Sequence, residues 1–496
     1  MTNPLFPLNE YIPDGEPHVY GDRVYLYGSH DKENGDRFCM QDYTVYSASI
    51  YDLNNWTSHG ISYRKENDPR SRKDKLVDLY APDCVKGNDG RYYLYYVAMG
   101  PNIKNFGPVS VAVSDYPEGP FDYLSDIKYP DGKPLQKFLT NDPAVLNDDG
   151  RIYLYYGWGL GRDFRSKIMA PIYNLVQSKL FERSLSEIKE TKPSILSCAV
   201  VELYDDMYTV KEGPVSVLDS KTTADKNSDL YNHAFYEAPS IRKFGDLYYL
   251  VYSSGENCEL AYATSRYPDK DYVYRGVIIS NADIGYMGNT EYHMTGGTIH
   301  GGIECINGES YIFYHRCTNN TDFSRQACAE KIHIDETGYI KQVEMTMQGL
   351  NPEPLAAKGI WPAALCCNLY NGKTAKARRN GLKDVPKIAS ENEKSYISGI
   401  NKGTVVGYKY FRFNEVKEIL VVTKGSGGRL YISTDEKEAD AIRRSKNLSD
   451  KKYIDLEEST KWKTFRCSLD INTKKAPLYF VYIGSGRVDL LEFEIR

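Results

Sequence analysis

The heptapeptide Gly90-Arg-Tyr-Tyr-Leu-Tyr-Tyr96 is one of five related stretches that decide the fold of this 496-residue chain. Each begins with a Gly-containing turn and continues into a short, Tyr-rich apolar run, the pattern of a β-hairpin turn entering a buried strand. The other copies are Gly21-Asp-Arg-Val-Tyr-Leu-Tyr27, Gly150-Arg-Ile-Tyr-Leu-Tyr-Tyr156, Gly245-Asp-Leu-Tyr-Tyr-Leu-Val-Tyr252 and Gly308-Glu-Ser-Tyr-Ile-Phe-Tyr314.

The spacing of the copies indicates how they are arranged. Aligned on Tyr25, Tyr93, Tyr153, Tyr249 and Tyr311, they lie 68, 60, 96 and 62 residues apart. Units of this size, each with several short strands, predict the blades of a five-bladed β-propeller around a central channel. The longest interval includes residues 165–192, whose composition predicts a loop or helical insertion. A β-sandwich with repeated hairpins is the alternative, but its strands recur at roughly 8–12-residue intervals.

A titratable residue stands ten to twelve positions before each aligned tyrosine. These residues are Asp14, Asp83, Asp142, Glu237 and His300. Each falls where the innermost strand of its blade begins, so we expect all five to share one funnel, where repulsion and desolvation drive pKa values apart. Neighbouring groups whose pKa values differ in this way can act as the acid and the base of a reaction. A single Asp beside Pro or Gly is more typical of a turn, but the common register of five favours a site.

These motifs, in this order, resemble glycoside hydrolase family 43. The resemblance covers roughly residues 3–350 and rests on Pro13-Asp14, Asn141-Asp142-Pro143, Glu237-Ala238-Pro239, His300-Gly301 and the stretch Ser49-Ile-Tyr-Asp-Leu-Asn-Asn-Trp56.

The resemblance implies an inverting glycoside hydrolase with roles for five residues. Asp14 matches the general base that activates water, Glu237 the general acid, and Asp142 the residue that orients the acid and tunes its pKa. His300 matches the channel residue that touches a bound calcium ion, directly or through water, and Arg325 a sugar-contacting arginine. An inverting mechanism needs two carboxyl groups roughly 6.5–9.5 Å apart, with a water between base and sugar.

Some assignments stay open at the level of sequence. The first motif reads Asp-Gly-Glu-Pro instead of the commoner Asp-Pro, so Glu16 is a rival for the base. Asp83 has either a structural role or a contact with a substrate hydroxyl. A sugar ring needs an apolar platform, for which Trp158 is the first candidate, with Tyr236 and Tyr80 as weaker ones.

Residues 1–350 are therefore predicted to be the catalytic propeller and residues 351–496 a second domain. The second part alternates short apolar runs with Gly, Ser and Lys turns, which predicts a jelly-roll-like β-sandwich. Segments 407–411 and 488–495 resemble a family 6-type carbohydrate-binding module. Carbohydrate binding by this domain and simple packing against the propeller are both open.

Composition excludes several classes of function. A net charge of −5 argues against nucleic-acid binding. The sequence contains no run of about 18 apolar residues, so no membrane span is expected. The ten cysteines show no paired spacing and are expected to be reduced. No signal peptide is apparent in residues 1–7, which favours the cytoplasm. Gly425-Ser-Gly-Gly428 lacks the residues of a phosphate loop, and no organic cofactor is expected; the oligomeric state is left open.

The function expected from the resemblance is exo-acting release of terminal arabinofuranose or xylose from plant-cell-wall oligosaccharides. An exo-galactosidase or galactofuranosidase of the same family is the close alternative, because motifs do not reveal subsite shape. A non-catalytic carbohydrate-binding propeller is the alternative of another class, and a retaining transglycosidase or phosphorylase is a third. Retaining enzymes hold their two carboxyl groups about 5–5.5 Å apart.

Overall fold

The computed structural model describes residues 2–72, 75–100, 108–135, 139–159, 169–180, 184–186, 196–255, 258–446 and 448–496. The described chain is almost entirely β-structure, with five antiparallel sheets followed by one larger sheet. The predicted all-β propeller followed by a β-sandwich is thereby confirmed. No helix in these ranges is long and apolar enough to cross a membrane.

Each of the first five sheets is one blade, and its strands follow each other in chain order from the axis outward. The first two blades comprise β1 (Glu16–Tyr20), β2 (Arg23–Tyr27), β3 (Tyr43–Ser49), β4 (Asp52–Tyr63), β5 (Asp78–Lys86), β6 (Tyr92–Met99), β7 (Ser110–Ser114) and β8 (Asp122–Asp126). The other three comprise β9 (Ala144–Asp148), β10 (Arg151–Tyr156), β11 (Cys198–Leu203), β12 (Val210–Leu218), β13 (Glu237–Phe244), β14 (Leu247–Ser253), β15 (Glu259–Ser265), β16 (Val273–Ser280), β17 (Ile303–Ile306), β18 (Glu309–Cys317) and β19 (Arg325–Ile332).

The five innermost strands form a closed ring. β1 contacts β5, β5 contacts β9, β9 contacts β13, β13 contacts β17, and β17 returns to β1. The N-terminal segment fastens the last blade, because the Leu5 N–H donates to Ala327 O at 2.8 Å and the Asn3 side chain bonds Ala329. The ring places the start of every innermost strand around one axis.

Helices are few in the described chain. The long third-blade interval holds α1 (Met169–Leu180), within the predicted insertion; residues 165–168, 181–183 and 187–192 of that prediction lie outside the described residues. A second α-helix, α2 (Glu436–Arg443), belongs to the C-terminal domain. Short 3-10 turns occupy Lys65–Asn67, Asp229–His233, Tyr286–Gly288 and Ala363–Leu365.

The register of the inner hairpins stacks side chains in three layers along the axis. The aligned tyrosines pair with a lower layer of His18, Val85, Leu146, Arg242 and Glu304. Alternate residues of a strand face the same side, so the residues two positions earlier in each innermost strand form a middle layer: Glu16, Asp83, Ala144, Ser240 and Gly302. The residues that precede these on the same side form an upper layer: Asp14, Tyr80, Asp142, Glu237 and His300.

Two bulges decide which residues reach the upper layer. In the fourth blade the pairing shifts between Glu237 and Ser240, so that Glu237 instead of Ala238 pairs with Ser253. In the second blade the shift lies between Tyr80 and Asp83, and Tyr80 takes the upper position. Bulges of this kind re-aim a side chain next to an active site.

The C-terminal domain is one curled sheet whose longest strands bend from one layer into the other. β25 pairs with β28 along most of its length, and its second half also pairs with β29. The strands are β20 (Leu355–Ala356), β21 (Gly359–Pro362), β22 (Asn368–Tyr370), β23 (Lys387–Glu391), β24 (Lys394–Ile400), β25 (Val405–Gly425), β26 (Gly428–Ser433), β27 (Tyr453–Leu456), β28 (Ser459–Ile483) and β29 (Val488–Ile495).

The two domains share an apolar core and a buried polar clamp. Tyr249 and Ile312 of the blades lie in the same buried cluster as Phe411 of β25. The buried Arg316 guanidinium donates to the carbonyl oxygens of Ala364 and Cys366, both at 2.7 Å. All ten cysteines are free thiols. The domains are therefore joined by packing and buried hydrogen bonds instead of disulfides.

Candidate active site

The upper layer lines a funnel that opens at one end of the propeller. All five of its residues face this cavity, together with Phe38, Ala81, Met99, Asn141, Trp158, Tyr236, Ala238, Thr298, Ile299 and Arg325. Every candidate site residue named from the sequence thus lies in one place except Asp83 and the rival base Glu16.

The backbone is strained where the upper layer begins. Asp14 (φ 57°), Asp142 (φ 47°) and Ala238 (φ 61°) all adopt the left-handed region, which disfavours residues with a Cβ and costs of order 1 kcal/mol each. The surrounding ring must hold these conformations, because isolated strands would not adopt them. Strain of this kind clusters at functional sites.

Glu237 is the proton-bearing carboxyl group of the funnel. Burial, followed by the charge of Asp142, raises the pKa of Glu237 to about 8. His300 and Lys376 oppose this rise without reversing it. A carboxyl group that holds its proton near neutral pH can donate it to a leaving oxygen.

Asp142 lies beside the acid and is fixed by its backbone. The Ala238 N–H donates to Asp142 Oδ2 at 3.1 Å, so the carboxylate is held against the residue that follows Glu237. Burial also raises the pKa of Asp142, although His300 counteracts it. Two neighbouring buried carboxyl groups repel each other when both are ionised, so one of them keeps its proton to a higher pH than the other.

Asp14 is kept ionised by the cations around it. Burial alone would raise its pKa, but the Arg325 guanidinium, 2.8 Å from Asp14 Oδ1, lowers the pKa below the usual range. His315 Nδ1 accepts a hydrogen bond from the Asp14 backbone N–H at 3.2 Å. Burial and Arg325 lower the pKa of His315 to about 3, so this imidazole is neutral. An ionised Asp14 can accept a proton from water.

Arg325 is itself fixed before any sugar arrives. Its Nε and Nη2 donate to the two Asp31 oxygens at 2.9 and 3.0 Å, and its guanidinium lies 4.8 Å from the centre of the Phe38 ring. Planar, bidentate pairing of this kind holds an arginine rigidly. The predicted sugar-contacting arginine therefore also supports the proposed base.

His300 connects the funnel to the middle layer. Its Nε2 lies 3.5 Å from Glu16 Oε1. Burial opposes its protonation, but Glu16 and then Asp142 raise the pKa of His300 to about 9. Glu16 is fully buried below the funnel, where its Oε2 accepts from Ser240 Oγ at 2.8 Å and from Arg242 at 3.2 Å. The structure thus places Asp14 in the funnel and its rival Glu16 beneath it.

The expected substrate contact of Asp83 is corrected by its register. The hairpin of the second blade is one residue longer than that of the first. The residue ten positions before Tyr93, which is Asp83, therefore lies in the middle layer and not in the upper one. There Asp83 is fully buried, 2.5 Å from His18 Nε2, and accepts from the Val145 N–H at 2.7 Å. Its oxygens are used inside the protein, which is a structural role.

Three residues of the middle and lower layers are spaced like metal ligands, but an arginine side chain already lies among them. Ligand atoms of Glu16, His18 and Asp83 lie within 4.8 Å of one another. The Arg242 guanidinium, however, lies 3.2 Å from Glu16 and 3.3 Å from His18. This guanidinium supplies the positive charge that the carboxylates require.

Trp158 and Tyr236 form the aromatic wall of the funnel. Trp158 stands between two glycines: Gly157 N–H donates to Asn141 O at 3.0 Å, and Gly159 N–H to Tyr236 O at 2.5 Å. A Cβ on Gly159 would lie 2.2 Å from Phe235 O, so only glycine permits this approach. The Gly-Trp-Gly sequence therefore positions the indole between the strands that carry Asp142 and Glu237.

Sequence reasoning missed the residues that come from non-repeating loops. Asp31 and Phe38 lie between β2 and β3, and no equivalent stretch in another blade marks them. His315 lies opposite His300 in the last hairpin and is not among the residues that the count from the aligned tyrosines marks. The five-fold repeat could have located His315 by its pairing position, but it carries no signal for the loop residues.

The funnel combines an ionised carboxylate, a protonated carboxyl group and an aromatic platform. This combination fits hydrolysis of a glycosidic bond, with water activated on one face and the leaving oxygen protonated on the other. A purely binding site would not need a buried acid that retains its proton near neutral pH.

Comparisons with known proteins agree with this chemistry. The sequence profile of the Glycosyl hydrolases family 43 matches residues 1–202. The xylosidase/arabinosidase of Thermoclostridium stercorarium is 38% identical over 513 residues, which cover 99% of this chain and 98% of that protein.

Two solved structures share the propeller. A family 43 enzyme from Xanthomonas citri, complexed with xylotriose, is 26% identical with a TM-score of 0.53, covering 71% of this chain and 95% of that one. A β-xylosidase/α-arabinofuranosidase from a compost microbial metagenome, in complex with xylotriose and in calcium-free form, is 27% identical with a TM-score of 0.51. It covers 69% of this chain and 97% of its own.

Proposed function

Because the chain belongs to glycosyl hydrolase family 43, an inverting family, we propose that it is an exo-acting β-D-xylosidase/α-L-arabinofuranosidase acting on xylan-derived oligosaccharides. The observation that carries the proposal is the opposed protonation of Asp14 and Glu237 in one funnel. The relative that matches this chain over nearly its full length is named for both sugars, and two structural neighbours are complexed with xylotriose.

In the proposed reaction each group has one task. Asp14 takes a proton from water as the water attacks the anomeric carbon, while Glu237 gives its proton to the departing glycosidic oxygen. The pair acts on opposite faces of the sugar, so the anomeric configuration inverts. Asp142 keeps the pKa of Glu237 high and steadies the adjoining backbone, and Arg325 holds Asp14 ionised.

We propose that a calcium ion binds beneath the funnel, next to His300. His300 Nε2 and Glu16 Oε1 are buried, face each other at 3.5 Å and make no hydrogen bond among the described residues. We propose that Glu16 Oε1 would ligate the ion directly, that water would complete a shell of six to eight oxygen ligands, and that His300 would contact the ion through one of these waters. The ion would supply positive charge beneath the funnel, which protonated His300 otherwise provides. The proposal is supported by the structural neighbour described as calcium-free.

The test is sugar release by purified protein from aryl β-D-xyloside, α-L-arabinofuranoside, β-D-galactoside and β-D-galactofuranoside, and from xylobiose. Product configuration should be followed by NMR during the first turnovers. Release of xylose or arabinose with inversion supports the proposal; release of galactose alone favours the galactosidase alternative. Retention of configuration would contradict the inverting mechanism. Unchanged melting temperature and activity after chelation would contradict a required calcium ion.

A further inference from the structure

A segment of the C-terminal domain packs against the outside of the funnel wall. Residues 371–386, which join β22 to β23, are called here the rim segment. The Ala377 N–H donates to Gly296 O at 2.7 Å, and Asn320 Nδ2 donates to Val385 O at 3.0 Å. Gly296 lies two residues before Thr298, which lines the funnel. The rim segment is therefore attached directly to the wall of the funnel.

One cation of the rim segment lies beside the strand that carries the acid. Lys376 Nζ donates to Gly255 O at 3.2 Å. Gly255 packs so closely against Tyr236 that a Cβ on it would lie 2.9 Å from Tyr236 Cγ. Tyr236 lines the funnel and directly precedes Glu237. The Lys376 charge is among those that oppose the burial-driven rise in the pKa of Glu237, so the ammonium lies within electrostatic reach of the acid.

The rim segment is strongly basic in a chain whose net charge is −5. Its single carboxylate, Asp384, pairs with Lys373 at 2.8 Å and with Arg487 at 2.5 Å. The remaining cations of the segment are Lys376, Arg378, Arg379 and Lys383. All four are exposed, and they make no ion pair within the part of the chain that the structure describes. Lys376 is thus available beside Tyr236, and three further cations follow it in the same segment.

The position of these cations relative to Glu237 indicates which part of a substrate they would meet. In an exo-acting hydrolase the released sugar lies inside the funnel, and the leaving group extends outward past the acid that protonates its oxygen. The edge of the mouth nearest Glu237 therefore faces the leaving group. Guanidinium and ammonium groups at such an edge bind carboxylates by charge-assisted hydrogen bonds.

We propose that the rim segment is a leaving-group subsite that binds the carboxylate of a uronic acid substituent. Oligosaccharides that carry a glucuronosyl group on the leaving side would then be preferred over neutral ones. This inference rests on the proposed function, since it concerns the second half of the same substrate. It also gives the C-terminal domain a part in specificity beyond packing against the propeller.

The test compares kcat/KM for neutral xylotriose with that for xylotriose bearing a glucuronosyl group on a residue beyond the scissile bond. The Lys376→Met/Arg379→Met double variant should lower the acidic-to-neutral ratio by about 10-fold, because the charge-assisted contacts are lost. Raising NaCl from about 0.05 to 0.5 M should lower the ratio in the wild type, since exposed charges are screened. Lys474→Met, at an exposed lysine of β28 outside the rim segment, should leave the ratio unchanged.

The outcomes separate the inference from the proposed function. A wild type that cleaves both substrates equally at both salt concentrations would overturn the inference and leave the xylosidase activity intact. An equal loss on both substrates in the double variant would show a structural role for the rim segment, which also overturns it. Failure to release xylose or arabinose from any substrate, aryl glycosides included, would instead refute the proposed function.

Discussion

The upper and lower ends of the propeller axis are built from the same five strands, yet they use buried charge in opposite ways. Below the funnel, Asp83 is matched by His18, and Arg242 is matched by Glu16 and by Glu304 at 3.3 Å. In the upper layer, Asp142 and Glu237 are two carboxyl groups side by side, and burial raises the pKa of both.

The contrast follows from what each end requires. A buried charge without a partner costs several kcal/mol, so a structural layer must neutralise each one. A catalytic layer needs a group that can gain and lose a proton, which full neutralisation would prevent. The same register positions thus stabilise the ring at one end and carry the reaction at the other.

The strongest test of the contrast is Glu237→Gln. Loss of the acid should lower kcat/KM for xylobiose by about 10³-fold, within the range for general acid catalysis. An aryl glycoside should lose far less, because its phenolate leaves without protonation. Steady-state kinetics on the two substrates measures the difference.

Asp14→Asn is the matched control for that experiment. Removal of the base should slow both substrates similarly, since water must be activated in each case. If Glu237→Gln slowed the aryl glycoside as severely as xylobiose, Glu237 would not be the acid.

Below the funnel, Asp83→Asn should reduce the stability of the protein and leave its activity largely intact. It weakens the buried contact between Asp83 and His18, so the free energy of unfolding should fall by about 3 kcal/mol, as when other buried pairs are broken. Urea denaturation followed by fluorescence measures this. Turnover should change by less than about tenfold, because Asp83 does not line the funnel. A thousandfold loss of kcat with unaltered stability would place Asp83 in the reaction.

Glu16→Gln should reduce turnover by an amount between those of Asp14→Asn and Asp83→Asn. Its effect decides which carboxylate is the base. Glu16 touches His300 and Arg242 but is not exposed to the funnel, so kcat should fall by about tenfold, far less than with Asp14→Asn. Kinetics of the two variants on one aryl glycoside, with melting temperatures to check folding, gives the comparison. A reversed order of severity would assign the base to Glu16.

The fold could be predicted from the sequence because it repeats. Five copies of one hairpin imply five equivalent positions on an axis, and Asp14, Asp142 and His300 were located by that rule alone. Glu237 was found by the same count, although its place depends on a bulge. Asp83 was misplaced because counting back from Tyr93 could not include the longer hairpin and the shift after Tyr80.

The rest of the site could not be read from the sequence because nothing local marks it. Asp31 and Phe38 lie in an irregular loop, and their meeting with Arg325, nearly 300 positions away, depends on closure of the ring. The rim segment comes from another domain altogether. Its basic composition is visible in the sequence, but its position beside Tyr236 is a property of the packed structure.

The smallest expected effect concerns the link between the two upper-layer carboxyl groups. Glu237 must be protonated to act, so kcat/KM of the wild type should fall as the pH rises through about 8. In Asp142→Asn the neighbouring negative charge is gone, the pKa of Glu237 falls, and the alkaline limb should move to lower pH by about one unit. The asparagine oxygen can still accept the Ala238 N–H, so the backbone should keep its position. Profiles of kcat/KM against pH for both proteins measure the shift. An alkaline limb that stays near pH 8 in Asp142→Asn would mean that burial alone holds the proton on Glu237, and that the neighbouring like charge does not set the upper layer apart from the lower.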